Sequence, residues 1–431
     1  MGECVPSTRG GRLLLLVSTT SYRAGAFLDA ARRLGTPVAV ASDRRQALAD
    51  LNPAGHLTLD FNDADRALDA ILEAARRDPI AAVIAADDDG AVLAARAAAA
   101  LGHAGNPVEA VARARDKLRM REALAAAGRF SPAFREASLA EDPERLAREV
   151  RYPCVLKPTF LAGSRGVIRV DDARRFAAAF SRVAGIVKQA QAAAPDRDSA
   201  NRILIEDYVP GAEVAVEGLL MNGRLRVLAL FDKPDPLEGP FFEESIYLTP
   251  SRLDAARQEM VVGATAHVVA ALGLVHGPIH AELRVNGSGA WMLEIAPRSI
   301  GGLCSRALRF GDGTSLEELI LQQALGIDVG SLEREAAASG VMMIPIPRAG
   351  VLREISGVGE ARAVEGIEEI RVTIPLGAEV VPLPEGARYL GFLFARAEAP
   401  GGVEAALREA HRRLGFVIEA ASDAVTKAAR A

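Results

Sequence analysis

Hydrophobic and polar residues alternate with two different periods along the first hundred residues of the chain. Short apolar runs, typical of buried strands, are each followed by a longer segment whose apolar residues recur with a helical period. The predicted strands cover 13–18, 37–41 and 81–86, and the predicted helices cover 25–34, 64–76 and 90–101. Strands that alternate with helices predict a parallel α/β sheet, which places its ligands at the carboxyl ends of the strands.

The pattern changes after residue 112, where hairpins replace the alternation. Asn222-Gly223 between two apolar runs is a strong signal for a two-residue turn that joins strands at 213–220 and 225–231. Later elements are predicted as helices at 253–272 and 315–325, strands at 341–346, 367–374 and 387–397, and a helix at 402–414. The 431 residues suggest about three domains. We expect a parallel α/β domain (1–112), a central domain (113–340) with a lid near 150–210, a small α+β domain (341–420) and a flexible tail (421–431).

Two glutamates, Glu282 and Glu294, lie on neighbouring apolar segments that a short polar loop connects. Because an unpaired buried carboxylate is costly, two of them on one sheet face are best explained by a dication between them. Side chains alternate between faces along a strand, so a three-residue loop, 287–289, would pair 282 with 294 on one face, whereas a four-residue loop would not. Such oxygen ligands suit Mg²⁺ held jointly with phosphate. The alternative is an exposed hairpin edge with solvated acids.

A second group of residues lies upstream. A short apolar strand ends at Lys157, a small-residue loop follows at 162–166, and another strand is predicted at 167–170. This arrangement is typical of a lid whose backbone N–H groups cover phosphate oxygens while a lysine supplies a point charge, although most glycine-bearing loops are simply turns. Farther on, a strand with Glu206, followed by Glu213, can present backbone groups to an adenine edge and a carboxylate to ribose hydroxyls.

These elements, in this order over residues 113–300, resemble the ATP-grasp superfamily. The resemblance implies an ATP-grasp fold for the central domain. One position departs from the family pattern, because Ala296 stands where many members carry an asparagine that binds metal. This alanine, Pro297-Arg298, a Gly-Gly pair and the segments 231–236 and 240–250 together resemble the L-amino acid ligase branch, which joins amino acids into dipeptides.

The resemblance implies ATP and two magnesium ions as cofactors, with Mn²⁺ as an acceptable substitute. The residues implied for the nucleotide are Lys117, Lys157, Gly163, Ser164, Gly166, Glu206, Tyr208, Val209 and Glu213. Glu282 and Glu294 would hold the metal ions.

Four residues are predicted to act on the reacting atoms: Arg298, His280, Gly301 and Gly302. Arg298 and the backbone N–H groups of the two glycines would stabilise a tetrahedral oxyanion; the alternative for Arg298 is a structural salt bridge. His280 lies two residues before Glu282, hence on the same face of the strand. It would hydrogen-bond the oxygen of the reacting carbon or serve as the base for an ammonium group, unless it is an ordinary core residue.

Substrate contacts are predicted at a few more positions. From the resemblance, Glu243, Glu244 and Tyr247 would form a pocket for an amino group. Arg306, like Arg309, would meet a substrate carboxylate, which a guanidinium binds bidentately. The acidic triplet 87–89 follows a predicted strand. We favour helix N-capping for it, with a substrate contact at Asp88 as the alternative.

Composition excludes several classes of function. The net charge is −5 and the basic residues are scattered, so the chain lacks the footprint of a nucleic-acid-binding protein. Cys4, Cys154 and Cys304 have neither the spacing of a zinc site nor that of a disulfide framework. No apolar run approaches the length of a membrane span, and we expect a cytoplasmic protein that acts on small molecules without a membrane partner. The oligomeric state is left open, a homodimer included.

The function predicted first is an ATP-dependent carboxylate–amine ligase that forms an amide bond through an acyl phosphate, acts on amino acids, and releases ADP and phosphate. A second hypothesis keeps the ATP-grasp fold but assigns purine-type or bicarbonate chemistry to it. The purine-type reaction needs a site for a nucleotide phosphate, and residues 18–20 are a weak candidate. A third is a non-catalytic ATP-binding protein. The intact lysine, glutamate pair and arginine argue against it.

Overall fold

A computed structural model describes residues 11–46, 49, 52–128, 130–193 and 201–420. The predictions for Cys4 and for the tail at 421–431 lie outside these residues. Within the described residues no helix is both long enough and apolar enough to cross a membrane.

The amino-terminal segment forms the predicted parallel sheet, with strand order β3-β2-β1-β4. Its strands are β1 (Arg12–Leu16), β2 (Val38–Ser42), β3 (His56–Thr58) and β4 (Ile80–Ala85). Its helices are α1 (Ala24–Arg33), α2 (Ala64–Arg77), α3 (Ala91–Ala100) and α4 (Val108–Arg115). Leu13 to Leu16 are all buried, because helices cover both faces of the sheet. The sequence missed β3 and α4.

The lid is a separate small sheet with strand order β5-β8-β6-β7. Its elements are β5 (Phe134–Ser138), α6 (Pro143–Glu149), β6 (Cys154–Pro158), β7 (Ile168–Val170), α7 (Ala173–Ala193) and β8 (Arg202–Asp207), preceded by α5 (Lys117–Ala126). All the fully buried apolar residues of its core lie between Ala137 and Ile205. The lid therefore has a hydrophobic core of its own.

An eight-stranded sheet forms the centre of the molecule, in the order β13-β12-β9-β10-β11-β14-β18-β16. Its strands are β9 (Ala212–Met221), β10 (Arg224–Asp232), β11 (Ile246–Thr249), β12 (Gly277–Asn286), β13 (Gly289–Ala296), β14 (Ala338–Ile344), β16 (Ile367–Val372) and β18 (Gly391–Ala397). Three of these strands, β14, β16 and β18, come from the segment predicted as the carboxyl-terminal domain. The predicted domain boundary at 341 thus divides one continuous sheet. The division of the chain into domains at this residue stays a proposal.

The remaining elements pack around this sheet. They are α8 (Ala255–Leu272), a short 3-10 helix (Cys304–Ala307), α9 (Leu316–Leu325), β15 (Gly350–Ser356), α10 (Val358–Arg362), β17 (Glu379–Val380), α11 (Pro400–Arg413) and β19 (Gly415–Glu419). Strands β17, β15 and β19 form a three-stranded antiparallel sheet. One hydrophobic core joins Leu13 of β1, Leu219 of β9, Phe231 of β10 and Phe392 of β18, so it crosses all three predicted domains.

The two predicted hairpins differ in outcome. In the first, Met221 pairs with Arg224 around a two-residue turn with positive φ at Asn222 and Gly223, as predicted. In the second, Asn286 pairs with Gly289, so the loop has two residues and the predicted three-residue loop is wrong. Glu282 nevertheless pairs with Glu294. The register shifts after Glu282, where a β-bulge inserts one extra residue into β13 and restores the pairing that the loop alone would not give.

Candidate active site

Glu282 and Glu294 stand directly opposite each other on the hairpin of β12 and β13. Side chains of residues paired in this way lie on the same face of a sheet, a few ångströms apart. Their side chains are 21% and 28% exposed, respectively. Both line one deep cleft, so two carboxylates open into a single space, as the sequence predicted.

Lys117 reaches this pair from the first turn of α5. Asp116 caps the helix by accepting hydrogen bonds from the N–H groups of Leu118 and Arg119. The Lys117 ammonium donates to Glu294 Oε1 at 3.0 Å and to the Leu161 carbonyl at 2.6 Å. Burial opposes ionisation of Glu294, but this ammonium outweighs it, and the pKa of the carboxyl lies below its usual value.

Lys157 lies at the end of β6, where the sequence placed it, and contacts Glu206 Oε2 at 2.7 Å. The same carboxylate also pairs with Arg121, a fully buried arginine that sequence reasoning missed. Burial opposes ionisation of Glu206, yet the two cations lower its pKa to about 2. Glu213 likewise has two cationic partners, Lys233 at 2.9 Å and Arg284 at 3.0 Å.

Lys233 is the principal residue that the sequence analysis missed. Its fully buried ammonium contacts Glu213 at 2.9 Å, Glu244 at 2.5 Å and Glu282 at 3.5 Å. Burial disfavours the charged ammonium, but the carboxylates prevail and hold the pKa of Lys233 well above its usual value. A signal was present, since an apolar strand followed by Lys-Pro occurs both at Lys157 and at Lys233.

His280 lies between two glutamates. Nδ1 is 3.1 Å from Glu217 Oε2, and Nε2 is 3.3 Å from Glu282 Oε1. Glu217 is fully buried and also accepts a hydrogen bond from the Ile300 amide. Burial raises the pKa of Glu217. The same-face relation of His280 and Glu282 follows from the strand period, whereas Glu217, on neighbouring β9, was not predicted.

Arg298 pairs with Asp88 at 2.7 Å and donates to the Ser299 carbonyl at 2.9 Å. Arg115 approaches the same aspartate at 3.0 Å. Burial opposes ionisation of Asp88, but the two guanidinium groups outweigh it and hold the pKa of Asp88 well below its usual value. The preferred capping role is therefore wrong for Asp88. Helix α3 begins after Gly90 without a side-chain cap, and the carboxylate ties the amino-terminal sheet to the site.

The predicted substrate residues divide into two groups. Tyr247 donates a hydrogen bond to Glu244 at 2.8 Å, and both residues line a second cavity together with Gly301 and Gly302. Burial and the charge of Glu282 raise the pKa of Glu244 to about 7. Glu243 lies outside both cavities.

The prediction that Arg306 reaches the substrate is wrong. Arg306 pairs with Glu369 of β16 at 2.6 Å, and Arg309 pairs with Glu368 of the same strand at 3.2 Å. Neither arginine lines the cavities described here. The 3-10 helix that carries Arg306 packs against β14 and β18, which places this arginine beside β16 and away from the cavities.

Two adjoining cavities make up the site. The first is lined by two lysines and five glutamates together with Tyr208 and Val209: Lys117, Lys157, Glu206, Glu213, Glu244, Glu282 and Glu294. The second lies toward the amino- and carboxyl-terminal segments. The residues common to both are Leu161, Ala162, Gly163, Glu244, His280, Glu282 and Arg298. The hairpin and Arg298 thus form the shared wall.

The lid loop covers this junction. Gly163, Ser164 and Gly166 all have positive φ, between 55° and 75°. A Cβ added to Gly166 would lie 2.7 Å from Pro158 Cγ, so this position requires glycine. The loop is fastened to the carboxyl-terminal segment, because the Gly166 amide donates to the Pro384 carbonyl and Arg182 pairs with Glu385 at 2.6 Å.

The residues present fit a magnesium site. Glu282 and Glu294 supply hard carboxylate oxygens that remain partly open to the first cavity. Carboxylate oxygens of Glu213, Glu244 and Glu282 also lie within 4.8 Å of one another, but the Lys233 ammonium contacts all three, so that cluster already contains a cation. The pair on the hairpin is therefore the better candidate for metal.

Comparison with known proteins gives two family matches. Residues 150–307 match the ATP-grasp domain, and residues 342–419 match the L-amino acid ligase C-terminal domain 2. Together the matches cover the lid from β6 onward, strands β9–β13 of the central sheet with the glutamate hairpin, and most of the carboxyl-terminal segment.

Individual relatives agree with these matches. The chain is 28% identical over 240 residues to the alanine–anticapsin ligase of Bacillus amyloliquefaciens, which covers 53% of this chain and half of that protein. It is 30% identical over 288 residues to carnosine synthase 1 of Gallus gallus, which covers 63% of this chain and 31% of that protein.

A solved structure covers nearly the whole chain. The L-amino acid ligase of Bacillus licheniformis superposes with a TM-score of 0.77 at 25% identity, over 95% of this chain and 99% of that one. The chain therefore combines an ATP-grasp domain with the carboxyl-terminal domain of the L-amino acid ligases, and its relatives and its fold indicate an ADP-forming carbon–nitrogen ligase.

Proposed function

We propose that the protein activates a carboxylate as an acyl phosphate and joins it to an amine, with amino acids as the substrates. The observation that carries this proposal is the wall shared by the two cavities. His280, Glu282 and Arg298 border both the charged cleft and the second cavity. A group activated at that wall is within reach of an amine in the second cavity without crossing open solvent.

In the first step a substrate carboxylate oxygen bonds to the γ-phosphorus of ATP, and ADP leaves. Such transfers depend mainly on positioning and on neutralising charge. Lys117, Lys157 and Lys233 supply three buried ammonium groups around the cleft. Magnesium held by Glu282 and Glu294 would neutralise further phosphate charge.

In the second step the amine nitrogen bonds to the acyl carbon, the carbon–oxygen bond to phosphate breaks, and the nitrogen loses a proton. Arg298 and the N–H groups of Gly301 and Gly302 are the proposed donors to the tetrahedral oxyanion. His280 is the proposed proton acceptor, because its ring lies between the carboxylates of Glu217 and Glu282, which would stabilise the cation that forms when it takes a proton. The lid would keep water from the acyl phosphate.

The named relatives support amino acids as substrates. Alanine–anticapsin ligase carries alanine in its name, and the structural relative is an L-amino acid ligase. A nucleotide-phosphate substrate has less support. The Ser18 amide and the Ser21 hydroxyl both donate to Asp87, whose charge would repel phosphate at the weak candidate loop. The proposal includes a cytoplasmic location, because the reaction needs a supply of ATP.

A screen of ATP hydrolysis tests the proposal. The common L-amino acids, singly and in pairs, are added with MgATP, and both phosphate release and amide product are measured. We expect phosphate release with one group of related amino-acid pairs. The same pairs should give a dipeptide that mass spectrometry detects. Phosphate release that bicarbonate or a ribonucleotide stimulates, with no amide from any amino-acid pair, would contradict the proposal.

A further inference from the structure

The second cavity has four arginines in its wall, and within the part of the chain that the structure describes only one of them has terminal nitrogens without a protein partner. The four are Arg23, Arg115, Arg165 and Arg298. Arg115 and Arg298 share Asp88. Arg23 is buried and donates through both terminal nitrogens to the Ala86 carbonyl and to Ser299. Arg165 is the exception.

Arg165 belongs to the lid loop and is held at one end only. Its Nε donates to the Glu385 carbonyl at 3.0 Å, which fixes the plane of the guanidinium. Among the described residues no carboxylate pairs with it, and half-burial alone lowers its pKa. Two parallel N–H donors on a fixed plane match the geometry of a carboxylate.

Neighbouring lid residues face different cavities. Ser164 lines the first cavity, whereas Arg165 lines the second and not the first. The carboxylate that is activated must lie at the shared wall, beside Glu282 and Arg298, where it meets the γ-phosphate. An anion bound by Arg165 in the second cavity is therefore a different group.

We propose that Arg165 determines specificity for the amine substrate by binding its carboxylate. This inference rests on the proposed function. It deepens that function by stating that the amine carries its own acid group, as an amino acid or a short peptide does. Tyr389, which lines the same cavity and is half-buried, offers an apolar ring face to the rest of that substrate.

The test compares an amine substrate with its uncharged counterpart. The best amino-acid amine from the screen and its carboxamide are assayed at saturating MgATP and acyl substrate. For Arg165→Met we expect KM for the free acid to rise about 10–100-fold, the effect of losing a charge-assisted bidentate contact. KM for the carboxamide and for ATP should stay the same. Arg165→Lys keeps the positive charge without the two parallel N–H donors. Its KM for the free acid should lie between the values for the wild type and Arg165→Met.

Arg175→Met is the matched control, because Arg175 is an exposed arginine on the same lid. Equal KM values of the wild type for acid and carboxamide would overturn the inference. So would equal losses for both in Arg165→Met, or a rise confined to KM for ATP, which would make Arg165 a phosphate-binding residue. If the wild type makes no amide with any amine, it is the proposed function that fails.

Discussion

The cations and acids of the first cavity are arranged in pairs. Each ammonium that could meet a phosphate already rests on a glutamate: Lys117 on Glu294, Lys157 on Glu206, and Lys233 on Glu213, Glu244 and Glu282. Buried charges need such partners, since an unpaired one is expensive. A phosphate that enters would exchange partners with these ions, so little new desolvation is required and the free protein keeps a stable site.

The pair on the hairpin gives a direct prediction for Glu294→Gln. The change keeps the shape of the side chain but removes one metal ligand charge and the partner of Lys117. We expect ATP turnover to fall below detection while the protein stays folded, with a lower melting temperature because the buried Lys117 loses its charged partner. Phosphate release with MgATP and the cognate substrates is the measurement. Glu122→Gln, at an exposed position of α5, is the control, and turnover near the wild-type rate in Glu294→Gln would contradict the metal assignment.

Arg298→Ala is expected to separate activation from ligation. If the guanidinium stabilises the tetrahedral oxyanion, amide formation should fall ~10²–10³-fold while ADP formation falls less, because the acyl phosphate forms and is lost to water. ADP, amide and melting temperature are measured on one preparation. Asp88 keeps Arg115 as a partner in this variant, which limits the loss of stability. Equal losses of ADP and amide would exclude the oxyanion role.

The sequence alone was enough to find those site residues that a local pattern of neighbouring residues indicates. Lys157 ends an apolar strand, and the glutamates Glu282 and Glu294 flank a polar loop. It missed Lys233, Glu217 and Arg121, because what marks them is burial beside partners that are distant in the chain. Arg121, for example, meets Glu206, which lies 85 positions later. A buried ion pair between separate elements has no signature in either element alone.

At the scale of elements, the lid loop is shaped by backbone conformation and by its fastening to the segment around Glu385. Gly166 combines φ of 75° with a close approach to Pro158. Its amide also donates to the Pro384 carbonyl. A side chain at this position would therefore both strain the backbone and push the loop away from the junction of the cavities.

Gly166→Ala is expected to raise KM for ATP and to increase the ATP hydrolysed per amide formed, since a displaced lid admits water. Both are measured by coupled assay with product quantification. Gly185→Ala is the matched control: Gly185 lies within α7 of the same lid, with no atom within 4 Å of an added Cβ. That variant should keep wild-type kinetics and gain slightly in stability. Identical kinetics for the two variants would show that the loop is an ordinary turn.

Most helices and strands were predictable because their hydrophobic residues recur with a clear period. The alternation of the first hundred residues and the Asn222-Gly223 turn were confirmed. The short strands His56–Thr58 and Glu379–Val380 were not found, since two or three residues are too few to show a period. The bulge in β13 was not predictable either. Arg121 holds it by donating to the carbonyl of the extra residue, Leu293, and that contact crosses 172 positions.

At the scale of the whole molecule, two of the hydrophobic cores differ in how much of the chain they join. One core joins strands from all three predicted domains, whereas the lid core is confined to residues between Ala137 and Ile205. The sequence suggested three domains because the pattern of predicted helices and strands changes twice, near residues 112 and 341. It could not show that strands separated by more than a hundred residues complete one sheet and one core.

We therefore expect one main unfolding transition and a separate, easier opening of the lid. Leu156→Ala and Leu219→Ala remove the same fully buried side chain from the lid core and from the shared core, and each should cost about 2–5 kcal/mol. Hydrogen exchange is the measurement. Leu156→Ala should reduce protection in the lid alone, and Leu219→Ala should reduce it in the amino-terminal sheet as well. Unchanged protection of that sheet in Leu219→Ala would contradict the shared core.

The bulge beside Glu294 has a consequence for how the chain can vary in length. A two-residue loop and one extra residue in β13 together bring the glutamates face to face. If β13 paired regularly with that residue in place, Glu294 would stand opposite Ala281 and face the other side of the sheet. A strand that lacked the extra residue would instead form a regular hairpin in which Glu282 still pairs with Glu294. Relatives that keep both glutamates and a two-residue loop are therefore expected to have either the bulge or a strand that is one residue shorter.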